Sequence, residues 1–385
     1  MNMPKNGNAA KLPSQFKNIQ KLVDDVYRNS TSPWVVTYSG GKDSSVVLDM
    51  FLRSAKKYPD GKHIYVVSNN TRVESPLVIG QLEKMHKILR RYIEAEGLKV
   101  SVHMTEPPLY DSFWVNLIGK GYPAPNQMFR WCTSRLKIDP TSAFIDRTIG
   151  NKDLMMSVGT RAAESASRKR NIDKHSVSEF FSTHTTRQNT QIFMPIRYLT
   201  DDDVWEYLAS VTPPWGGDYM DLINLYREAY GGECPVVADA SALSQPSCGE
   251  RSPRFGCWTC TLVKDDSSLQ GLIASGYMNL KPLYDFRNWL VETRDDITTR
   301  LPFNRQGQTR YKNGLLVYGP YRLEHRLEIL TKLMTVQKTV GANLILDQEI
   351  DLIHDLWEED RVFFQRYIGV RIPLNKFDES EFVTF

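Results

Sequence analysis

Trp34-Val35-Val36-Thr37-Tyr38-Ser39-Gly40-Gly41-Lys42-Asp43-Ser44-Ser45 is the stretch whose reading decides the fold. Trp34 to Thr37 is a short apolar run and reads as a strand. Ser44 to Lys57 reads as a helix, with Val47, Leu48, Met50, Phe51 and Leu52 clustered for burial. Two glycines therefore lie where a strand turns into a helix. Gly40 and Gly41 lack a Cβ, so the backbone can take unusual dihedrals and approach an oxyanion closely. The N–H groups that open the helix are unpaired, and the helix dipole favours negative charge there. Ser39, Ser44 and Ser45 add hydroxyl donors, and Lys42 adds a cation. The four-residue gap and Gly-Lys-Ser/Thr ending of a Walker A loop are absent, so this is a phosphate loop of another kind.

Outward from the loop, strands and helices alternate. Gln15 to Asn29 has apolar residues at a helical period, from Phe16 to Val26. His63 to Ser68, Lys99 to His103 and Leu154 to Val158 read as further strands, and Ser75 to Glu96 as a long helix with Pro76 in its first turn. This order predicts an α/β fold, a mostly parallel twisted sheet with helices on both faces. Ligands are then expected at the carboxyl ends of the strands. After about residue 263 the pattern becomes mostly helical, over Leu269 to Thr293, Tyr321 to Gln337 and Asp347 to Ile368. The division expected is an N-terminal helix over 1–30, a sheet domain over 31–232, a cysteine-rich insert over 233–263 and a helical C-terminal region over 264–385.

Composition sets bounds. The chain has 385 residues, 41% hydrophobic and 24% charged, as in ordinary globular proteins. It contains no apolar run near the roughly 20 residues of a membrane helix and no signal-peptide core, so a cytoplasmic location away from membranes is expected. A net charge of +3 is too mild to indicate nucleic-acid binding by itself. Arg161, Arg168, Lys169, Arg170 and Lys174 form a local basic stretch, which suits a solvated loop or a phosphate-binding one. Five cysteines are present, an odd count that in a cytoplasmic chain argues for metal or redox chemistry. Four of them run Cys234-x13-Cys248-x8-Cys257-Trp-Thr-Cys260. A C-x-x-C pair brings two thiolates to one metal. Four thiolates suit structural Zn or a [4Fe–4S] cluster, and spacing alone leans to zinc.

The loop resembles the SGGxDS segment of the N-type ATP pyrophosphatases, which carry the adenine-nucleotide alpha-hydrolase-like fold and split ATP into AMP and pyrophosphate. The resemblance implies that Ser39, Gly40, Gly41, Asp43, Ser44 and Ser45 hold pyrophosphate, with Lys42 as a cation and Asp43 positioning Mg²⁺. Gly159, Arg161, Glu164, Ser165 and Arg168 lie in a segment that resembles the GxRxxES…R segment of phosphoadenylyl-sulfate reductases, and arginine suits forked contacts with phosphate or sulfate. Pro195-Ile196 with Thr200 to Leu208 resembles the family's PI…DVWxYL segment. It reads as structural, with Thr200 capping a helix whose Val204, Trp205 and Leu208 pack inward. Phe129 to Lys137 resembles the R-x-C…K segment and implies Lys137 close to a phosphate. Ser68-Asn-Asn-Thr-Arg72 stands where these reductases carry an aspartate that this chain lacks.

Tyr230-Gly-Gly-Glu-Cys234-Pro, Cys248-Gly and Arg254-Phe-Gly-Cys257-Trp-Thr-Cys260 resemble the cluster region of the DNA phosphorothioation proteins called DndC and their single-strand counterparts, SspD. That resemblance spans roughly residues 30 to 265. It implies a [4Fe–4S] cluster on Cys234, Cys248, Cys257 and Cys260 in place of zinc. It also implies ATP as cosubstrate, and DNA, a cysteine desulfurase, other phosphorothioation proteins and a second copy of the chain as partners. Cys132 stays open between a small buried hydrophobe, a ligand, and a persulfide-bearing catalytic acceptor whose pKa Arg130, Arg135 and Lys137 would lower. Competing expectations are a sulfonucleotide reductase, whose terminal Glu-Cys-Gly is not matched by Glu381-Phe-Val-Thr-Phe385, a tRNA thiolase, and a non-catalytic scaffold that binds ATP and the cluster.

Overall fold

The computed structural model describes residues 12–164, 166–184, 186–230 and 255–367. Cys234 and Cys248, both expected as ligands, and Ser165 lie outside them. Alternation of strand and helix produces one six-stranded sheet. Its strands are β1 (Trp34–Thr37), β2 (Ile64–Asn69), β3 (Val100–Thr105), β4 (Leu154–Ser157), β5 (Phe181–Thr183) and β6 (Thr190–Phe193). They lie in the order β3-β2-β1-β4-β6-β5, all parallel except the antiparallel edge strand β5. β1 is central, and Trp34 is registered with Ile64 on one side and Met155 on the other.

Because side chains alternate along a strand, β1 feeds two cores. Trp34 and Val36 face one core with α1 (Ser14–Asn29), α2 (Lys42–Lys57) and α3 (Pro76–Glu96). Val35 faces the other, with Phe144 and Ile145 of α4 (Asp139–Thr148). In the first core Trp34, Phe51 and Phe193 pack ring to ring at 4.9 to 6.3 Å. Such pairs add about 0.5–1.5 kcal/mol each beyond area burial. The sheet is thus covered on both faces, as the sequence predicts. β5 and β6 are not predicted: at three and four residues each they carry little periodicity of their own.

A further core joins distant parts of the chain. Phe113, Trp114, Leu117, Ile118 and Trp131 pack with Trp258 and with α9 (Lys281–Thr293), α10 (Leu323–Val340) and α11 (Asp347–Tyr367). α5 (Ala166–His175) precedes β5, and between β6 and those helices run α6 (Asp201–Ser210), α7 (Met220–Ala229) and α8 (Ser267–Ala274). Trp114 Nε1 donates to the Leu344 carbonyl at 2.7 Å, and Trp357 Nε1 to the Ile118 carbonyl at 2.9 Å. Arg326, wholly buried, donates to the Gly119 and Tyr321 carbonyls and pairs with Asp360 at 2.7 Å. The C-terminal helices therefore hold in place the segment that carries Cys132 and Lys137.

One expectation about this region needs correction. Leu269 to Thr293 is not one helix but α8 and α9, separated by a turn at Gly276. The region is otherwise mostly helical, as expected, with Arg310–Lys312 (β7) and Leu315–Val317 (β8) forming one two-stranded hairpin within it. Among the described residues no helix is long and apolar enough to cross a membrane.

Candidate active site

β1 ends at Thr37, and the chain turns through Ser39–Gly41 into α2. Gly40 has φ +76°, the left-handed region that side chains disfavour. Ser44 Oγ donates to the Gly41 carbonyl at 2.9 Å and accepts from the Ser39 N–H at 3.2 Å. Ser45 Oγ donates to the same carbonyl at 3.0 Å. The serines thus shape the loop before any ligand arrives. β4 delivers Gly159 against its underside. A Cβ at Gly159 would come within 2.9 Å of Asp43 C and Ser44 N, so only glycine fits.

Two carboxylates and two cations interlock at the loop. Arg161, 2% exposed, donates through Nε to Asp43 Oδ1 and through Nη2 to Asp201 Oδ1, both at 2.5 Å, and through Nη1 to the Leu199 carbonyl at 3.3 Å. Lys42 Nζ lies 3.0 Å from Asp201 and 3.3 Å from Asp43. It also stands over the rings of Trp205 and Tyr226 at 5.9 Å. Burial pulls the Arg161 pKa down, but the two carboxylates outweigh it and hold the group above its ordinary value. Burial pushes Asp201 up, but Lys42 and Arg161 outweigh it and hold its carboxyl below the usual range. Arg161 and Asp201 are therefore both charged near neutrality. An arriving polyphosphate meets both cations, and the carboxylates are then free to take a divalent ion, the donor type that Mg²⁺ accepts.

Asp201 is the residue that sequence reasoning missed. Thr200 does cap α6: its Oγ1 accepts from the Asp203 N–H at 3.1 Å, and Asp203 Oδ2 accepts from the Thr200 N–H at 2.7 Å. The same turn aims Asp201 at the loop, so the segment read as structural also lines the site. The signal was present as three consecutive aspartates, of which only one is needed for the cap. Asp201→Asn is expected to loosen Lys42 and Arg161 and to lower nucleotide turnover about 10- to 100-fold, with a smaller effect on stability. Steady-state kinetics beside thermal unfolding checks this.

The thiols gather at a second corner. After β2, the Val73 carbonyl accepts from the Trp258 N–H at 2.9 Å, and Glu74 forms a bridge with Cys257. Thr71 Oγ1 lies 3.3 Å from Cys257 Sγ and donates to Glu74 at 3.0 Å. Lys137 Nζ lies 3.5 Å from Glu74. Arg287 of α9, also buried, donates to the carbonyls of Cys260 at 2.8 Å and Lys264 at 2.7 Å, which fixes the backbone of the C-x-x-C turn. Burial, then Glu74, pushes the Cys257 thiol up to about 12. Cys132 is raised by burial and by Cys260 beside it. Cys257, followed by Glu74 and Cys132, raises Lys137.

These observations correct the expectation of an activated thiol. Cys132 is not a lowered-pKa thiol. Arg135 is paired with Asp111, Arg130 reaches Gln127, and of the three cations only Lys137 favours the thiolate. Lys137 itself faces Glu74 and the thiols. Arg168 falls on α5, its side chain outside the described residues. Among the described residues no group of three His, Cys, Asp or Glu side chains stands at metal-holding spacing. Cys257 and Cys260 do fit a thiolate-bound metal in kind. They are two thiols one turn apart, with the Cys260 N–H bonded to the Cys257 carbonyl at 3.0 Å, in a pocket that disfavours bare thiolates.

Tyr226 joins the two corners. Its hydroxyl accepts from the Lys42 N–H at 3.3 Å, and its ring packs edge-on against Phe255 at 4.7 Å, two residues before Cys257.

The profile of the "Phosphoadenosine phosphosulfate reductase domain" family matches residues 33–263, more than half of the chain. An uncharacterized protein of Methanocaldococcus jannaschii is 27% identical over 226 residues, which cover 57% of this chain and 40% of that relative. This chain thus spans less than half of the relative's length. Among solved structures, phosphoadenylyl-sulfate reductase from Candida auris in its phosphate complex is 12% identical, with a TM-score of 0.31, over 55% of this chain and 98% of that one. The U34-tRNA thiolase of Methanococcus maripaludis with its [4Fe-4S] cluster is 14% identical, TM-score 0.33, over 51% and 62%. The FMN adenylyltransferase of Candida glabrata with FMN and an ATP analog is 12% identical, TM-score 0.34, over 60% and 66%.

Proposed function

This chain belongs to the phosphoadenosine phosphosulfate reductase domain family, and from that premise we propose that it is an ATP pyrophosphatase that places sulfur in the DNA backbone. One observation carries the reading. The loop cations and the thiols stand at the same end of the sheet, after β1 and β2, coupled through Tyr226. In this reading the loop would serve nucleotide activation and the thiols beside it sulfur handling.

Exchange of a non-bridging phosphate oxygen for sulfur needs that oxygen to leave, and oxide is a very poor leaving group. The DNA oxygen attacks the α-phosphorus of ATP, and the α–β bridge breaks to release pyrophosphate. The oxygen now leaves as part of AMP when a sulfur nucleophile attacks the DNA phosphorus. Lys42 and Arg161 neutralise the departing pyrophosphate and hold the α-phosphate in line. Asp43 and Asp201 would hold Mg²⁺, which supplies further charge neutralisation when bound. Cys257 and Cys260, with Cys234 and Cys248, would hold a [4Fe–4S] cluster, with zinc the other metal such a ligand set accepts. That cluster supplies redox and sulfur-binding capacity when bound.

Cys132 is the proposed sulfur acceptor, charged as a persulfide by a cysteine desulfurase. After its outer sulfur bonds to phosphorus, an external dithiol reduces the remaining sulfur–sulfur bond and returns the Cys132 thiol. The other phosphorothioation proteins would present the DNA. In cells whose only copy is Cys132→Ser, phosphorothioate measured by mass spectrometry is expected to vanish while purified protein still cleaves ATP and keeps its iron. Wild-type modification would remove Cys132 from the reaction. Loss of iron would make it a ligand instead.

A further inference from the structure

The hairpin β7–β8 has no part in the chemistry above, and its construction is unusual for a surface element. Two-stranded ribbons are marginal in water unless something covers a face. Here the strands are joined by Asn313-Gly314, both at positive φ, which is the tight turn that matches strand twist. Arg310 pairs with Val317 and Lys312 with Leu315, so by alternation these four share one face, and Tyr311 with Leu316 share the other. The first face is open. Arg310 and Lys312 are exposed, Leu315 is 75% exposed and Val317 44% exposed. Tyr311 at the edge is 69% exposed.

The root is fixed while the blade stands in solvent. Leu301 N–H donates to the Pro320 carbonyl at 2.9 Å, and Gly319 N–H to the Leu301 carbonyl at 2.7 Å. Arg300 Nη2 donates to the Tyr318 carbonyl at 2.9 Å, and Arg305 pairs with Asp360 at 2.9 Å. Leu301 and Phe303 pack on Phe364. The charge carried by the ribbon and its root segment has one sign. From Ile297 to Leu323 the sequence holds Arg300, Arg305, Arg310, Lys312 and Arg322 and no Asp or Glu. Among the described residues neither Arg310 nor Lys312 has an ion-pair partner.

We propose that the β7–β8 ribbon enters the major groove of a DNA duplex, with Arg310 and Lys312 on phosphates and Leu315 and Val317 against base edges. A major groove admits a two-stranded ribbon, and apolar side chains there meet thymine methyl groups. A polyanion complements a ribbon whose strands and turn carry no carboxylate, and a grooved one covers the exposed apolar pair. The ribbon root is tied to the segment that leads toward Cys132. Arg305 pairs with Asp360, and Arg326, which also pairs with Asp360, donates to the Gly119 carbonyl at 2.9 Å. Lys120 in turn shares Asp111 with Arg135, three residues from Cys132. The inference rests on the proposed role in DNA modification.

The test is fluorescence anisotropy of a short labelled DNA duplex over a salt series, with wild type, R310A/K312A and the charge-keeping R310K/K312R. Loss of two phosphate contacts should lower the slope of log affinity against log salt by about 1.8 and weaken binding roughly 30-fold near ~0.15 M salt. R310K/K312R should restore both. K312A alone, with a slope change of about 0.9, serves if the double variant fails to fold. Wild-type slope and affinity in R310A/K312A would overturn the ribbon assignment and leave the DNA reading standing. Binding to an RNA duplex as tight as to DNA would overturn the groove placement, because the deep, narrow RNA major groove excludes a ribbon. A wild-type protein that binds no duplex would remove the DNA reading and the ribbon with it.

Discussion

Asp43→Ala is expected to abolish pyrophosphate release from ATP, by at least about 10²- to 10³-fold, in a protein that remains folded. Asp43 opens α2 at the loop and touches charges: Arg161 on one oxygen, Lys42 on the other. No apolar packing is lost when it is shortened. Arg161 keeps Asp201 and the Leu199 carbonyl, so it is not left as a bare buried charge, which is what makes many such truncations unfold a protein. The loss therefore falls on the geometry of the cations and on the divalent ion they share. A coupled pyrophosphate assay beside thermal unfolding separates the two effects. Wild-type turnover in the variant would sink the assignment of this loop to nucleotide cleavage.

Cys257→Ser and Cys260→Ser are each expected to lose most of the protein's iron and its brown colour. Serine is isosteric but does not supply a thiolate at neutral pH, and a cluster that loses one of four ligands becomes labile. The surroundings sharpen the expectation. The Cys257 thiol is pushed up to about 12 without a metal, by burial and by Glu74, so a metal must both deprotonate and neutralise it. Cys234→Ser and Cys248→Ser should behave alike. ATP cleavage should survive in all four, because among the described residues the link from the thiol corner to the Ser39–Gly41 loop runs through Tyr226 and Phe255. Iron, sulfide and zinc counts on anaerobically purified protein decide this. Full iron in the four variants would mean a different ligand set, and zinc in the wild type would mean a structural metal.

The parts of the fold legible in the sequence were those with local causes. Trp34 to Val36 is apolar because β1 is buried on both faces there, and the glycine pair that follows has one common use at the end of such a strand. β2, β3, β4 and α3 were legible for similar reasons, with ends shifted by a residue or two. Long-range pairing was not legible. Asp201 looks like one of three residues in a helix start, and only the packing of α6 beside α2 turns it toward Lys42 and Arg161. Cys132 seemed activated because three cations flank it in sequence, yet Arg135 is spent on Asp111 and burial dominates. The Asn313-Gly314 turn was a readable hairpin signal, hidden by the helical segments on either side.

The central claim concerns which bond of ATP is broken. The direct measurement is product analysis after incubation of purified protein with Mg²⁺, DNA and ATP labelled separately at the α- and γ-phosphates. The account predicts that α-label appears in AMP, through a DNA-linked adenylate, and that γ-label appears in pyrophosphate. Label appearing in ADP and orthophosphate, in amounts that Asp43→Ala removes, would contradict it.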